Sequence, residues 1–157
     1  MQIFLLIIGI IFFIFLIKII KEKSSTTKLS SIENKKKGAL YEEHIANIYK
    51  KDGYDVIENG KEKGLKDDGI DIIAKKDKEV LFIQCKDWNI KNKYRINHKE
   101  IQYMRMNVRD YLQKNKNLNN LEWSIVYITS DNILTKSAIF KIKEHQSEIS
   151  HKVIKNK

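Results

Sequence analysis

The sequence has no proline, one cysteine (Cys85) and six glycines among 157 residues. A single cysteine excludes a disulfide framework and a cysteine-based zinc cluster. The four histidines, at 44, 98, 145 and 151, show no metal-ligand spacing, which leaves them surface positions. The glycines are scattered, so there is neither a glycine-rich phosphate loop nor a dinucleotide fingerprint. Internal repeats are lacking as well. The absence of proline goes with an abundance of Ile, Asn and Lys, so part of the lysine richness is compositional.

Hydrophobic residues make up 42% of the chain and charged residues 32%, enough for an ordinary core and too apolar for wholesale disorder. The formal net charge is +10, but it is unevenly placed. Residues 1–37 hold seven Lys and two Glu, a net +5, and the remaining residues carry the other +5. Basicity of the second part is therefore mild.

Residues 3–17, IFLLIIGIIFFIFLI, form an unbroken apolar run of fifteen, extended past Lys18 by Ile19 and Ile20. A helix over 1–20 at about 1.5 Å per residue spans roughly 30 Å, a bilayer core. A secretory signal would begin with a charged region and end in small residues. Here nothing charged precedes Lys18, and Ile-Ile-Lys-Glu-Lys follows the run. The expectation is an uncleaved single-pass transmembrane helix over 1–22. Lys18, Lys21 and Lys23 follow the span, so the positive-inside rule puts the carboxyl-terminal domain in the cytoplasm of a membrane-bound protein. Residues 23–37, polar and ending in Lys35–Lys37, read as a basic linker, and 38–157 as the folded domain.

Within that domain Tyr41, Ile45, Ile48 and Tyr49 have helical spacing, and Asp52-Gly53 stops the helix. Strands are expected at 54–57, 70–74, 79–86 and 123–129. Residues 58–69 read as a loop, 98–114 as a helix burying Ile101, Met104, Val108, Tyr111 and Leu112, and 115–122 as a connector. Thr135 caps a last helix running to about His145, with Ala138, Ile139 and Ile142 inward. The order predicts an α/β fold, a mixed central sheet with helices on both faces.

The informative feature is polarity where burial is expected. Asp71 stands among isoleucines, and the apolar strand at 79–86 ends in Gln84 and Lys86. Strand alternation sends Gln84 and Lys86 to one face and Cys85 to the other, and an adjacent strand brings Asp71 beside them. Buried polar groups need partners. Around a divalent cation such as Mg2+ they have one: Asp71 as main ligand, the Gln84 amide oxygen and the Cys85 backbone carbonyl as further oxygens. Lys86 has no acceptor, so its part is to orient water or offset phosphate charge. That is the equipment of phosphodiester hydrolysis. Cys85 itself reads as a small core residue. The following loop carries Trp88, Lys91, Lys93, Tyr94 and Arg95, a basic and aromatic set suited to DNA.

The runs Asp68-Gly69-Ile70-Asp71-Ile72-Ile73 and Phe82-Ile83-Gln84-Cys85-Lys86-Asp87-Trp88 resemble the Mrr-type restriction endonuclease family, of the PD-(D/E)XK nuclease superfamily. Gly38-Ala39-Leu40-Tyr41-Glu42, Gly53-Tyr54-Asp55-Val56, Val126–Ser130 and Thr135–Ala138 extend the likeness across about residues 38–145. The resemblance implies a restriction-endonuclease-like α/β/α sandwich and Mg2+-dependent DNA cleavage, with Mn2+ as a substitute. It carries over Asp71, Gln84 and Lys86 as the catalytic triad and Glu42 as the helix carboxylate, with Glu43 as the adjacent alternative. It also implies restriction of foreign or methylated DNA. Double-strand cutting would need two sites, hence a homodimer. Against a membrane-anchored endonuclease stand two other readings: a catalytically silent, membrane-tethered module binding DNA or protein, favoured by the uncharged Gln84, and a secreted nuclease with a cleaved signal.

Overall fold

The computed structural model describes residues 30–63, 69–91, 93–118 and 120–156. The expected membrane span over 1–22 and the charged turn at 64–68 lie outside the described residues. Among those described, no helix is long and apolar enough to cross a membrane. The chain divides into two compact units, Met1–Lys36 and Lys37–Lys157. Of the first, residues 30–36 are described and helical, where a polar coil was expected. Glu and Lys are good helix formers, and no glycine interrupts them there.

The second unit holds a five-stranded sheet in sequential order. The helix α1 (residues 30–51, of which those from Lys37 belong here) leads to β1 (Asp55–Ile57) and a short α2 (Asn59–Lys63). Then come β2 (Ile72–Lys76), β3 (Glu79–Lys86), α3 (His98–Lys114), β4 (Glu122–Thr129), α4 (Lys136–Glu144) and β5 (Ile149–Val153). The first three strands are antiparallel neighbours, while β3, β4 and β5 run parallel. Each parallel step is made by a helix, and successive crossovers of one hand leave α3 and α4 on the same face. Accordingly Ile101, Met104, Val108 and Ala138 share a core with Phe82, Ile125 and Tyr127. On the opposite face Tyr41, Ile45, Ala46 and Tyr49 of α1 cover Ile72, Leu81, Ile83, Cys85 and Ile128. The result is the expected α/β/α layering.

Local chemistry sets the boundaries. Gly53, at φ 85°, closes α1 with its N–H donating to Lys50 O. Asn97 caps α3 through a reciprocal box with Glu100, and Thr135 caps α4. Four expectations need correction. The loop at 58–69 contains α2, whose five residues NGKEK show no apolar periodicity that could have revealed it. The second strand starts at Ile72 and not at Ile70, because the Asp71 carbonyl turns to accept Gly60 N–H of α2. Ile139 is 41% exposed, since a nine-residue α4 buries only the narrow stripe of Ala138 and Ile142. A fifth strand follows α4 where the sequence carries no strand signal: only Ile149 of ISHKV is buried, and a polar edge strand looks like loop.

Candidate active site

The antiparallel register of β2 and β3 sets Ile72 opposite Ile83, so Asp71 comes level with Gln84. The Asp71 N–H still donates to Ile83 O at 3.0 Å, and its carbonyl accepts from Gly60 N at 3.0 Å. Asn59 Nδ2, buried, donates to Ile70 O at 2.7 Å. The turn into α2 thus holds the Ile70–Asp71 backbone where β2 begins. Asp71 Oδ2 accepts two N–H groups, from Gln84 Nε2 and, at 2.6 Å, from the Cys85 backbone. Both side chains are buried, Asp71 at 5% and Gln84 at 6% exposure. Paired N–H donors stabilise a carboxylate at this depth.

Backbone direction adds a second oxygen. The N–H and C=O of one strand residue face the same edge, so the Cys85 carbonyl faces the edge where Asp71 lies. The next carbonyl, of Lys86, turns the other way and accepts from Ser130 N at 3.1 Å. Gln84 and Lys86 point to the α3 side as alternation requires, and there they line a cleft of about 400 Å3 with Gly69, Lys99, Tyr103 and Tyr127. Lys86 Nζ stands 5.8 Å from the centroid of the Trp88 ring. Gly69 is left-handed at φ 71°, and a Cβ there would lie 3.0 Å from Gln84 Oε1. The glycine therefore serves both the turn and the approach to the Gln84 amide.

Glu42 is half-buried on α1. Burial pushes the Cys85 thiol well above its usual range, and the charges of Asp71 and Glu42 push it further. That leaves Cys85 an inert core thiol. Glu43 instead faces solvent, where it meets Lys61 at 3.4 Å. Of the two adjacent glutamates, Glu42 is half-buried and Glu43 exposed.

Among the described residues no group of three or more His, Cys, Asp or Glu side chains is placed to hold a metal ion. The oxygens on that edge are the Asp71 carboxylate and the Cys85 carbonyl, with the Gln84 amide bonded to Asp71. Such a set fits a hard cation that keeps water ligands, as Mg2+ does, and not a closed site of nitrogen and sulfur.

The loop after Lys86 divides in role. Trp88 packs against the core and lies 5.8 Å from the Tyr94 ring, which is 70% exposed. Lys91 and Lys93 are exposed. Arg95 turns its guanidinium to the Ile90 and Tyr94 carbonyls, so it braces the loop and does not project from it. Four contributors escaped sequence reasoning. Asn59 was invisible, since its contact is tertiary. Asp87 binds Lys37 at 3.5 Å and Asn156 at 2.8 Å, tying the end of β3 to α1 and to the carboxyl-terminal tail. Lys99 and Tyr103, four apart on α3, had only their spacing as a signal.

The sequence matches the family model Mrr_cat, described as a restriction endonuclease, over residues 34–118. That span is just over half of the 157 residues and contains Glu42, Asp71, Gln84 and Lys86. No curated protein matches the chain.

Proposed function

The chain belongs to the Mrr-type restriction endonuclease family, and on that premise we propose that it hydrolyses DNA phosphodiester bonds at Asp71, Gln84 and Lys86 with Mg2+. The observation that carries the reading is the buried Asp71 carboxylate, gripped by Gln84 Nε2 and the Cys85 N–H beside Lys86 and an open cleft. Two donors on one oxygen hold the carboxylate in a single orientation. With Nε2 committed to Asp71, the Gln84 amide oxygen is turned toward Gly69. Lys86, with three donors and no acceptor, holds a phosphoryl oxygen or orients the attacking water. Asp71 and the Cys85 carbonyl would hold the cation, joined by the Gln84 oxygen once its amide turns from Gly69, with Glu42 as the helix carboxylate. When bound, Mg2+ or Mn2+ supplies charge against the phosphoryl oxygens and acidifies water.

Lys91 and Lys93 would be the loop cations that meet DNA phosphate, a reading supported by their exposure and that of Tyr94, with Arg95 and Trp88 shaping the loop. Cutting both strands calls for two such sites, hence a homodimer. The apolar run at 3–17 supports a single-pass anchor with the nuclease facing the cytoplasm, where it would meet entering foreign DNA. Protease accessibility of the tail in intact and opened cells tests that orientation.

The test of the chemistry is plasmid nicking by the full chain in detergent. Wild type is expected to nick with Mg2+ or Mn2+, and Asp71→Ala and Lys86→Ala to lose about 10²–10³-fold. No cleavage under any metal, or equal cleavage by Asp71→Ala, refutes the reading. Salt-sensitive binding without cleavage would instead mark a silent binding module.

A further inference from the structure

The cleft on the α3 side of β3 is larger, and lined differently, than hydrolysis of a phosphate requires. Its volume of about 400 Å3 falls in the range of small-molecule sites. Ile96, Met104 and Tyr127, all buried, supply apolar surface. The Tyr127 hydroxyl is already spent, donating to Glu100 O at 2.8 Å. The Glu100 carboxylate, also in the lining, is held at the helix N-terminus by one oxygen, Oε2 accepting the Asn97 N–H at 2.7 Å. Against this apolar lining stands the Tyr103 ring, 59% exposed. Two cations border the cleft, Lys86 from the sheet and Lys99 from the first turn of the helix. Lys99 and Tyr103 lie at i and i+4, on one helix face.

An apolar slot, an exposed aromatic ring and flanking cations together suit a flat, uncharged ring with an anion on either side. In a nucleic acid that is a base and its neighbouring phosphates. We infer that the cleft is a nucleotide subsite: it receives one unstacked base of the strand being cut, stacked on Tyr103, while Lys99 holds an adjacent phosphate. The inference rests on the nuclease reading and adds a substrate class to it. A paired base must be pulled from its stack to enter, at the cost of pairing and stacking, whereas an unpaired base enters freely. Strands unpaired at the cut, as in single-stranded, frayed or mismatched DNA, are therefore the favoured substrates.

The experiment uses the full chain in detergent, with EDTA present for binding. The probe is a single-stranded oligonucleotide carrying 2-aminopurine at successive positions, beside the matched duplex. Wild type is expected to bind the single strand more tightly and to change the fluorescence at one position. Tyr103→Ala weakens single-strand binding roughly tenfold and removes that change, while Tyr103→Phe keeps both, because stacking uses the ring. Lys99→Ala lowers the salt slope of binding by about one. With Mg2+ added, a mismatched duplex is cut faster than a matched one. Both side chains are exposed, so the variants fold, and circular dichroism checks this. If Tyr103→Ala and Lys99→Ala bind and cut as wild type does, the subsite is refuted and the nuclease stands. If wild type neither binds nor cuts DNA, both fall.

Discussion

Gly69→Ala perturbs the site at its narrowest point. Gly69 sits at φ 71°, and an L side chain in that region costs about 1–2 kcal/mol. For a domain of this size that lowers the melting midpoint by roughly 4–8 °C. The new Cβ would also stand 3.0 Å from Gln84 Oε1, closer than ordinary van der Waals contact. The amide cannot retreat without disturbing its bond from Nε2 to Asp71, a hydrogen bond to a charged group. Losing half of a bond worth ~1.5–3 kcal/mol is a roughly three- to tenfold fall in rate. Gly53→Ala separates the two effects. Gly53 has φ 85°, but its added Cβ would lie 3.6 Å from Lys76 Nζ, the far end of a flexible side chain. It should lose the same stability and no activity. Thermal unfolding by circular dichroism and initial nicking rates, taken well below either midpoint, give both numbers. A Gly69→Ala protein with the wild-type midpoint and rate refutes the argument, and equal rate losses in the two variants refute the part played by Gln84.

Two further outcomes concern the frame around the site. Asn97→Ala removes the side-chain half of the α3 cap, in which Asn97 Oδ1 accepts from Lys99 N at 2.8 Å, and keeps the backbone half, in which Glu100 Oε2 accepts from Asn97 N at 2.7 Å. It should cost about 1 kcal/mol in urea unfolding, and Asn97→Ser should restore most of it. His151 is half-buried against Thr129 Oγ1 at 2.8 Å, and burial lowers its imidazole below the usual His value. The unfolded chain therefore takes up a proton first as pH falls. Stability should drop from about pH 6.5 down to the lowered folded value, then level off. The loss should shrink in His151→Gln. An unchanged slope of melting midpoint against pH in that variant would show that His151 is not the group responsible.

Much of this fold is legible in the sequence because its signals are local. β3 at Glu79–Lys86 and α3 at His98–Lys114 stand where local pattern puts them, since a continuous apolar run between polar ends and a five-turn amphipathic helix are each visible within one stretch of chain. Thr135 was readable as a cap because capping uses only neighbouring residues. β5 and α2 were not readable, since a one-residue apolar anchor and a single helical turn carry no period. At the site, Asp71, Gln84 and Lys86 could be singled out because polarity within a buried strand is visible in one dimension.

What the sequence alone determined, then, is which residues are anomalous and which face each takes. The alternation of β3 separates Cys85 from Gln84 and Lys86 without reference to any other element. What only the tertiary structure decided is who meets whom. The β2–β3 register puts Asp71 level with Gln84, and α2 turns its carbonyl out of the ladder. Docking of α1 leaves Glu42 half-buried and Glu43 exposed beside Lys61, a difference in burial that adjacent helix positions do not reveal. Packing α3 over the sheet then adds Lys99 and Tyr103 to a cleft they share with Gln84 and Lys86. The physical reason is the range of the forces. Alternation, capping and hydrophobic period act within a few residues. Register and helix docking are settled by burying apolar faces across the whole domain.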